Sequence, residues 1–406
     1  MRKKNQLKAL PTSEASRKVG RRELLRGAVV AGGALLVGFE KMAWPRAILG
    51  STNDPFAKGK LLGTIGFTGE AKVPMETVLG AELDGRMYTD LSALSTENRV
   101  TPTDKFYIRT RASELPDAHK AWRVSVGGLA ARPFDVGMDE LRKMAKPMGT
   151  HLMECAGNTR NVHFGMMSVA EWGGAPVAEL VESAKPKTAS TRVLISGFDT
   201  YATKSASSIP GASWIFTQEE LRTSRAFLAT EMNGSALTKD HGAPVRLVVP
   251  GWYGCACIKW VNEITFTDDT AAATSQMQEY AARTMQAGVP QVAREYKPAT
   301  VDPAAMPIRV EKWAVEEKIK YRVVGIVWGG SGVVKELEIR FNPEEDYVPV
   351  GNLEEIAEKP WRFWTHAWAP QQAGTYLIRL RVKDPGVIAR RLDLGYYMRS
   401  VEITEI

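Results

Sequence analysis

The sequence predicts an α+β chain: a mixed body over 95–290, a linker, and a small β-sandwich over 303–406. Three observations carry this. From about 134 to 266, helix-like stretches (139–144, 168–183, 218–228) mix with short β-rich runs (192–198, 245–249, 258–266), without strict βαβ alternation. After Pro303 the character changes to strand-like runs, "YRVVGIVWGG", "VVKELEIRF", "RFWTHAWAP", "TYLIRLRVKD" and "YYMRSVEITEI", separated by Gly, Pro and Asn. Within them Tyr376, Ile378, Leu380 and Val382 alternate with partly polar neighbours, as in a sheet wet on one face. Several such strands in about a hundred residues suit a sandwich of immunoglobulin type. "GGSG" at 329–332 suits a hairpin, and "GVPQVAREYKPATVDPAAMP" reads as the linker.

Taken in order, residues 1–43 hold ten Lys or Arg against three acidic residues, which accounts for the whole chain's formal +7. The basic balance belongs to this leader and gives no reason to invoke nucleic acid. Arg21–Arg22 precede a short apolar stretch, 27–39, too short for a membrane span and similar to a twin-arginine export signal. The expected location is the periplasm. No other apolar run is long enough to cross a membrane, so no stable span is expected in the mature chain. Residues 44–94 form an N-terminal extension in which 71–87, "AKVPMETVLGAELDGRM", reads as surface loop and short helix. Some 360 remaining residues suffice for two domains.

The chain has three cysteines. Cys255 and Cys257 in "GWYGCACIKW" read as strand packing; two apart in a strand, their Cα atoms would lie ~6.6 Å apart, the long end of disulfide geometry. Cys155 in "HLMECAGNTRN" is a buried thiol, half of a disulfide or a metal ligand. Gly157 permits close backbone approach, and Asn158 and Arg160 donate to anions. A soft thiolate beside fixed positive charge suits a high-valent transition metal carrying oxo groups. Zinc is poorly supported, because His151 and His163 have no familiar ligand spacing.

Six motifs in order give the chain a resemblance to the sulfite oxidase family of molybdopterin enzymes over about 95–400. They are "FYIRTR" (106–111), "ECAGNTR" (154–160), "AEWGG" (170–174), "SGFD" (196–199), "MNGSALTKDHGAPVRLVVPGWYGCACIKWV" (232–261) and "YAARTMQ" (280–286). The resemblance implies a molybdopterin-binding oxidoreductase domain over 95–290 and an immunoglobulin-like dimerisation domain over 303–406, hence a homodimer. It implies molybdenum held by molybdopterin, a pyranopterin dithiolene, with Cys155 as the protein's metal ligand. Arg109 and Arg160 would face an oxyanion substrate, since a planar, always-charged fork suits several oxygens. Tyr280 would donate to substrate or to an oxo group. Tyr107, Arg111, Asp199, His241, Arg246, Cys257 and Lys259 fall on the cofactor side. Arg111 is a departure, because animal and plant members usually carry His there. Arg362 is a candidate substrate arginine from the C-terminal domain.

The chain has no C-x-x-C-H and no cytochrome b5-like stretch. The resemblance implies oxidation of sulfite to sulfate, and without such a motif the electrons would leave singly to a separate c-type cytochrome. Oxidation of sulfane sulfur, turnover of a sulfoxide, or a non-catalytic secreted binding role are the competing expectations.

Overall fold

The computed structural model describes residues 54–70, 76–77 (backbone only), 84–112, 121–198, 212–330, 332–356 and 359–406. The leader with Arg21–Arg22, and Asp199, lie outside the described residues.

Among the described residues, two five-stranded sheets, a small three-stranded sheet and four short helices build the body. One sheet orders its strands Ser213–Thr217, Arg192–Gly197, Val261–Thr267, Arg123–Gly128, Phe134–Gly137, with a single parallel pair between Val261–Thr267 and Arg123–Gly128. The other runs Ser235–Ala236, Phe227–Met232, Met167–Pro176, Lys146–Glu154, and Arg246–Val248 pairs with its second strand. Helix Val177–Ala184 buries Val177, Leu180 and Ala184, one face at helical spacing. Helix Gln218–Thr223 starts at a capping box: Thr217 Oγ1 accepts from the Glu220 N–H at 3.0 Å, and Glu220 Oε2 accepts from the Thr217 N–H at 2.7 Å.

The stretch 168–183, expected to be helical, begins as a strand and becomes helix only at Val177. Its apolar run fits a strand buried on both faces, and Gly173–Gly174 disfavour helix. A Cβ on Gly174 would collide with Leu228 O and lie 2.8 Å from Ala229 Cα, so the two strands meet only because glycine stands there. Residues 218–228 likewise turn from helix to strand at Phe227. Asp84–Met87, expected to be loop and helix, is a strand paired with Ile108–Arg111.

Beyond Pro303 the chain forms two antiparallel five-stranded sheets. The first contains Lys60–Ile65, Ala304–Val315, Lys318–Trp328, Trp361–Trp368 and Asn352–Leu353. The second contains Val348–Pro349, Leu337–Arg340, Gly374–Val382, Arg399–Ile403 and Phe67–Thr68. Two N-terminal strands thus edge sheets made of C-terminal sequence, a long-range pairing that no local pattern announces. "GGSG" does not close a hairpin: after Trp328, Gly329 and Gly330 at φ 76° and 75° lead the chain from the first sheet toward the second. Val323, Ile326, Phe363, Trp364, Ile339, Ile378 and Leu380 are fully or almost fully buried in and between these sheets. Among the described residues, no helix is long and apolar enough to cross a membrane.

Candidate active site

Strand Lys146–Glu154 delivers Cys155 at its end. The Cys155 N–H donates to Met166 O at 2.9 Å, and the Asn158 N–H donates back to Cys155 O at 2.9 Å. Asn158 Oδ1 accepts from the Met166 N–H at 3.0 Å, which pins the loop. The Gly157 N–H donates to Cys155 Sγ at 3.4 Å. A Cβ on Gly157 would sit 3.3 Å from Arg283 Nη1 and 3.7 Å from Cys155 Sγ, so a side chain there would wedge between guanidinium and thiol. Burial pushes the Cys155 thiol up, while the Gly157 N–H and the charges of Arg109 and Arg283 pull it down. All three cysteines are free.

The thiol opens on a cleft of about 160 Å³. Tyr107, Arg109, Arg111, Cys155, Arg246, Cys257, Lys259 and Tyr280, all singled out from sequence, line it. Tyr107 is buried, and its hydroxyl lies against Gly254, where a Cβ would be 2.7 Å away. Arg109 projects from the strand Ile108–Arg111, with one nitrogen 3.7 Å from Asp84 Oδ1. Tyr280 ends helix Ser275–Glu279, and its backbone N–H donates to Gln276 O at 3.1 Å.

Another part of the cleft wall carries two cations, one buried and one half-buried. Arg246 is 2% exposed. Its Nη1 donates to His241 O at 3.2 Å and its Nη2 to Cys257 O at 3.0 Å, while its buried Nε has no partner. Lys259 Nζ donates to Thr110 Oγ1, to Asp240 O, and at 3.4 Å to Arg109 O. Burial, then the neighbouring Arg246 charge, lowers the Lys259 ammonium to about 7. A buried guanidinium with an unsatisfied nitrogen and a lysine driven toward neutrality are what an anionic group in this position would relieve.

Two of the expected residues stand elsewhere. His241 lies behind the cleft rather than on it. Its Nδ1 pairs with Thr238 Oγ1 at 2.7 Å and its Nε2 with Phe106 O at 3.2 Å; the carbonyl can only accept, so Nε2 carries the proton. Burial and then Lys259 lower it to about 3, leaving a neutral ring that orients the Phe106–Tyr107 backbone. Arg160 sits on the 3-10 turn Arg160–Val162 with Nη2 donating to Met398 O at 2.7 Å, and does not line the cleft. One nitrogen of its guanidinium is thus held by a backbone carbonyl of the C-terminal segment. Arg362 is also remote, donating to Glu354 O and Val334 O at 2.8 and 2.5 Å. Cys255 and Cys257 are not strand residues. The 3-10 turn Gly254–Ala256 places both on the cleft wall, where Cys257 Sγ accepts from the Val249 N–H at 3.4 Å.

Sequence reasoning missed Gln276, Glu279 and Trp260 on the cleft wall, Arg283 beside the thiol, and the rear wall behind it. There Glu154, fully buried, accepts from Trp328 Nε1 at 2.9 Å and pairs with Tyr397 OH at 3.0 Å. Arg391, 3.9 Å from Glu154, donates to Ala156 O at 2.9 Å and to Arg283 O. These partners come from the C-terminal sequence, and no local motif marks them.

The family described as "Oxidoreductase molybdopterin binding domain" matches residues 112–275. The mitochondrial sulfite oxidase of Homo sapiens is 25% identical over 345 residues, covering 77% of this chain and 59% of that one. The sulfite oxidase of Arabidopsis thaliana is 30% identical over 200 residues, covering 45% and 51%. The NADPH nitrate reductase of Beauveria bassiana is 27% identical over 352 residues, covering 75% and 39%. The chain thus spans 59% of the length of the human relative it matches. The crystal structure of the sulfane dehydrogenase SoxCD from Paracoccus pantotrophus shares the fold, with a TM-score of 0.60 at 19% identity, covering 87% of this chain and 98% of that one. A buried thiol, a cluster of cations and these matches converge: the chain carries an oxidoreductase molybdopterin-binding domain over 112–275 and is similar to sulfite oxidases, and the cofactor is molybdenum held by molybdopterin.

Proposed function

We propose that the protein oxidises sulfite to sulfate, SO3²⁻ + H2O → SO4²⁻ + 2H⁺ + 2e⁻, and passes the electrons singly to a separate c-type cytochrome. The observation that carries this reading is the pairing of Cys155 with Arg109 in one cleft, with the cations Arg246 and Lys259 on another part of its wall. Cys155 as thiolate would hold the metal, and Arg246 and Lys259 would hold the cofactor's anionic end. When bound, the molybdenum centre supplies oxygen-atom transfer and accepts the two electrons. The chain's own part is positioning. Arg109 presents a fixed charge to the substrate oxygens, Tyr280 stands beside them as a phenolic donor, and the packed wall of Tyr107 and Trp260 limits water. Asp199 is proposed as a further pterin contact.

The test is sulfite-dependent reduction of cytochrome c by cofactor-loaded protein. Removing one well-aimed donor costs roughly a hundredfold, so Arg109→Gln is expected to lower kcat/KM by about that factor. A wild-type protein inert to sulfite contradicts the reading. A second reading is oxidation of another sulfur compound such as sulfane sulfur: Arg160 turns one nitrogen to Met398 O and does not line the cleft, which leaves a different set of charges there. A sulfoxide as substrate and a non-catalytic secreted binding role have no such observation behind them.

The domain reading stays as proposed from sequence: a body over 95–290 and an immunoglobulin-like domain over 303–406 that forms a homodimer. Export to the periplasm rests on Arg21–Arg22 ahead of the apolar stretch 27–39. With both replaced by Lys, folded protein is expected to stay in the cytoplasm; unchanged periplasmic activity contradicts export by this route.

A further inference from the structure

Arg283 lies one turn beyond Tyr280, in the 3-10 turn Ala282–Thr284 that follows helix Ser275–Glu279. Its side chain doubles back: the guanidinium carbon lies 5.3 Å from the centroid of the Tyr280 ring. Nη1 reaches within 3.3 Å of the point where a Gly157 Cβ would be, and that point is 3.7 Å from Cys155 Sγ. The charge therefore lies no farther from the sulfur than those two distances together, and it acts on the thiol in the same sense as Arg109. Two features fix the turn that carries it. Arg391 donates from one nitrogen to both Ala156 O and Arg283 O, which ties the backbone of the turn to the cysteine loop. Met285 in the left-handed region at φ 59° ends the turn. Among the described residues no carboxylate pairs with the Arg283 guanidinium, although the residue is exposed and many surface arginines of this chain have one.

An arginine held over an aromatic ring beside a buried thiol, with its fork unspent, is a preformed anion site. We propose that Arg283 is a specificity-determining residue that holds the oxygens of a small dianionic oxyanion between Gly157 of the cysteine loop and Tyr280. This rests on the sulfur-oxyanion reading of the site. Its guanidinium would add a second charge near the thiol to that of Arg109, which stands on the cleft wall. Its contribution is to binding, so it acts on KM and on inhibition by oxyanions more than on kcat.

The experiment compares cofactor-loaded wild type, Arg283→Gln and Arg283→Lys. Steady-state kinetics with sulfite and calorimetric titration with sulfate are run on each. The expected result for Arg283→Gln is a KM for sulfite and a Kd for sulfate each raised about tenfold, the scale of one hydrogen bond to a charged group, with kcat within about twofold. Arg283→Lys, which keeps the charge without the planar fork, should fall between. Unchanged KM and sulfate affinity overturn the proposal, as does a fall in kcat alone. If wild type does not turn over sulfite, the substrate reading fails separately and sulfate titration still decides: weaker binding to Arg283→Gln supports the site, and equal or absent binding in both overturns it.

Discussion

Lys259 shows how burial beside a like charge marks a single residue. Its ammonium is lowered to about 7 by burial and by Arg246, against an ordinary value of 10.5. Between those two pH values the unfolded chain carries a proton on this lysine that the folded, cofactor-free protein does not. Folding stability of the cofactor-free protein should therefore rise with pH from about 7 toward 10.5, with the penalty fully present below about 7. Lys259→Met should flatten that rise in urea unfolding, and an unchanged slope contradicts the assignment. Bound cofactor should flatten it too, because an anion returns the proton. At this scale the motifs were informative: Tyr107, Arg109, Cys155, Arg246, Lys259 and Tyr280 sit in short, distinctive stretches, and the fold brings them to one cleft. His241 and Arg160 carried the same kind of local signal, but their placement depends on Phe106 O and Met398 O, partners that lie far away in sequence. Arg283 shows the converse, since only the tertiary approach to Gly157 gives it meaning.

At the scale of elements, the short helices and many strands could be read from periodicity and turn residues, and the errors have one cause. A strand buried on both faces shows no alternation, so 168–176 resembled part of a buried helix until its pairing with both Lys146–Glu154 and Phe227–Met232 was visible. That central strand depends on Gly174. Gly174→Val places side-chain atoms against Leu228 O and Ala229 Cα, backbone that cannot yield without unpairing the sheet. The expected cost is about 3 kcal/mol or more, seen as a lower urea midpoint together with loss of bound cofactor, because the adjacent strand carries Cys155. A variant as stable as wild type would mean that the sheet tolerates a shift here. Glycine at this position was visible in "AEWGG", but what it touches was not.

Across the whole molecule, the site is closed by sequence that lies far from it. Glu154, next to Cys155, is buried among Trp328, Tyr397 and Arg391, and Glu70 binds Arg399 through two bonds of 2.7 Å. The C-terminal sheets are thereby part of the wall behind the thiol and not a detached appendage. A break in character near Pro303 was legible, whereas the return of Lys60–Ile65 and Phe67–Thr68 to sheets of C-terminal sequence was not, because such pairing leaves no local trace. All of this structure converges on one sulfur atom. The account is tested most directly by X-ray absorption at the molybdenum edge on protein from its own host, comparing wild type with Cys155→Ser. The account predicts about one molybdenum per chain in wild type and one sulfur ligand fewer in the variant, with sulfite turnover lost. Identical sulfur coordination in the two proteins would contradict it.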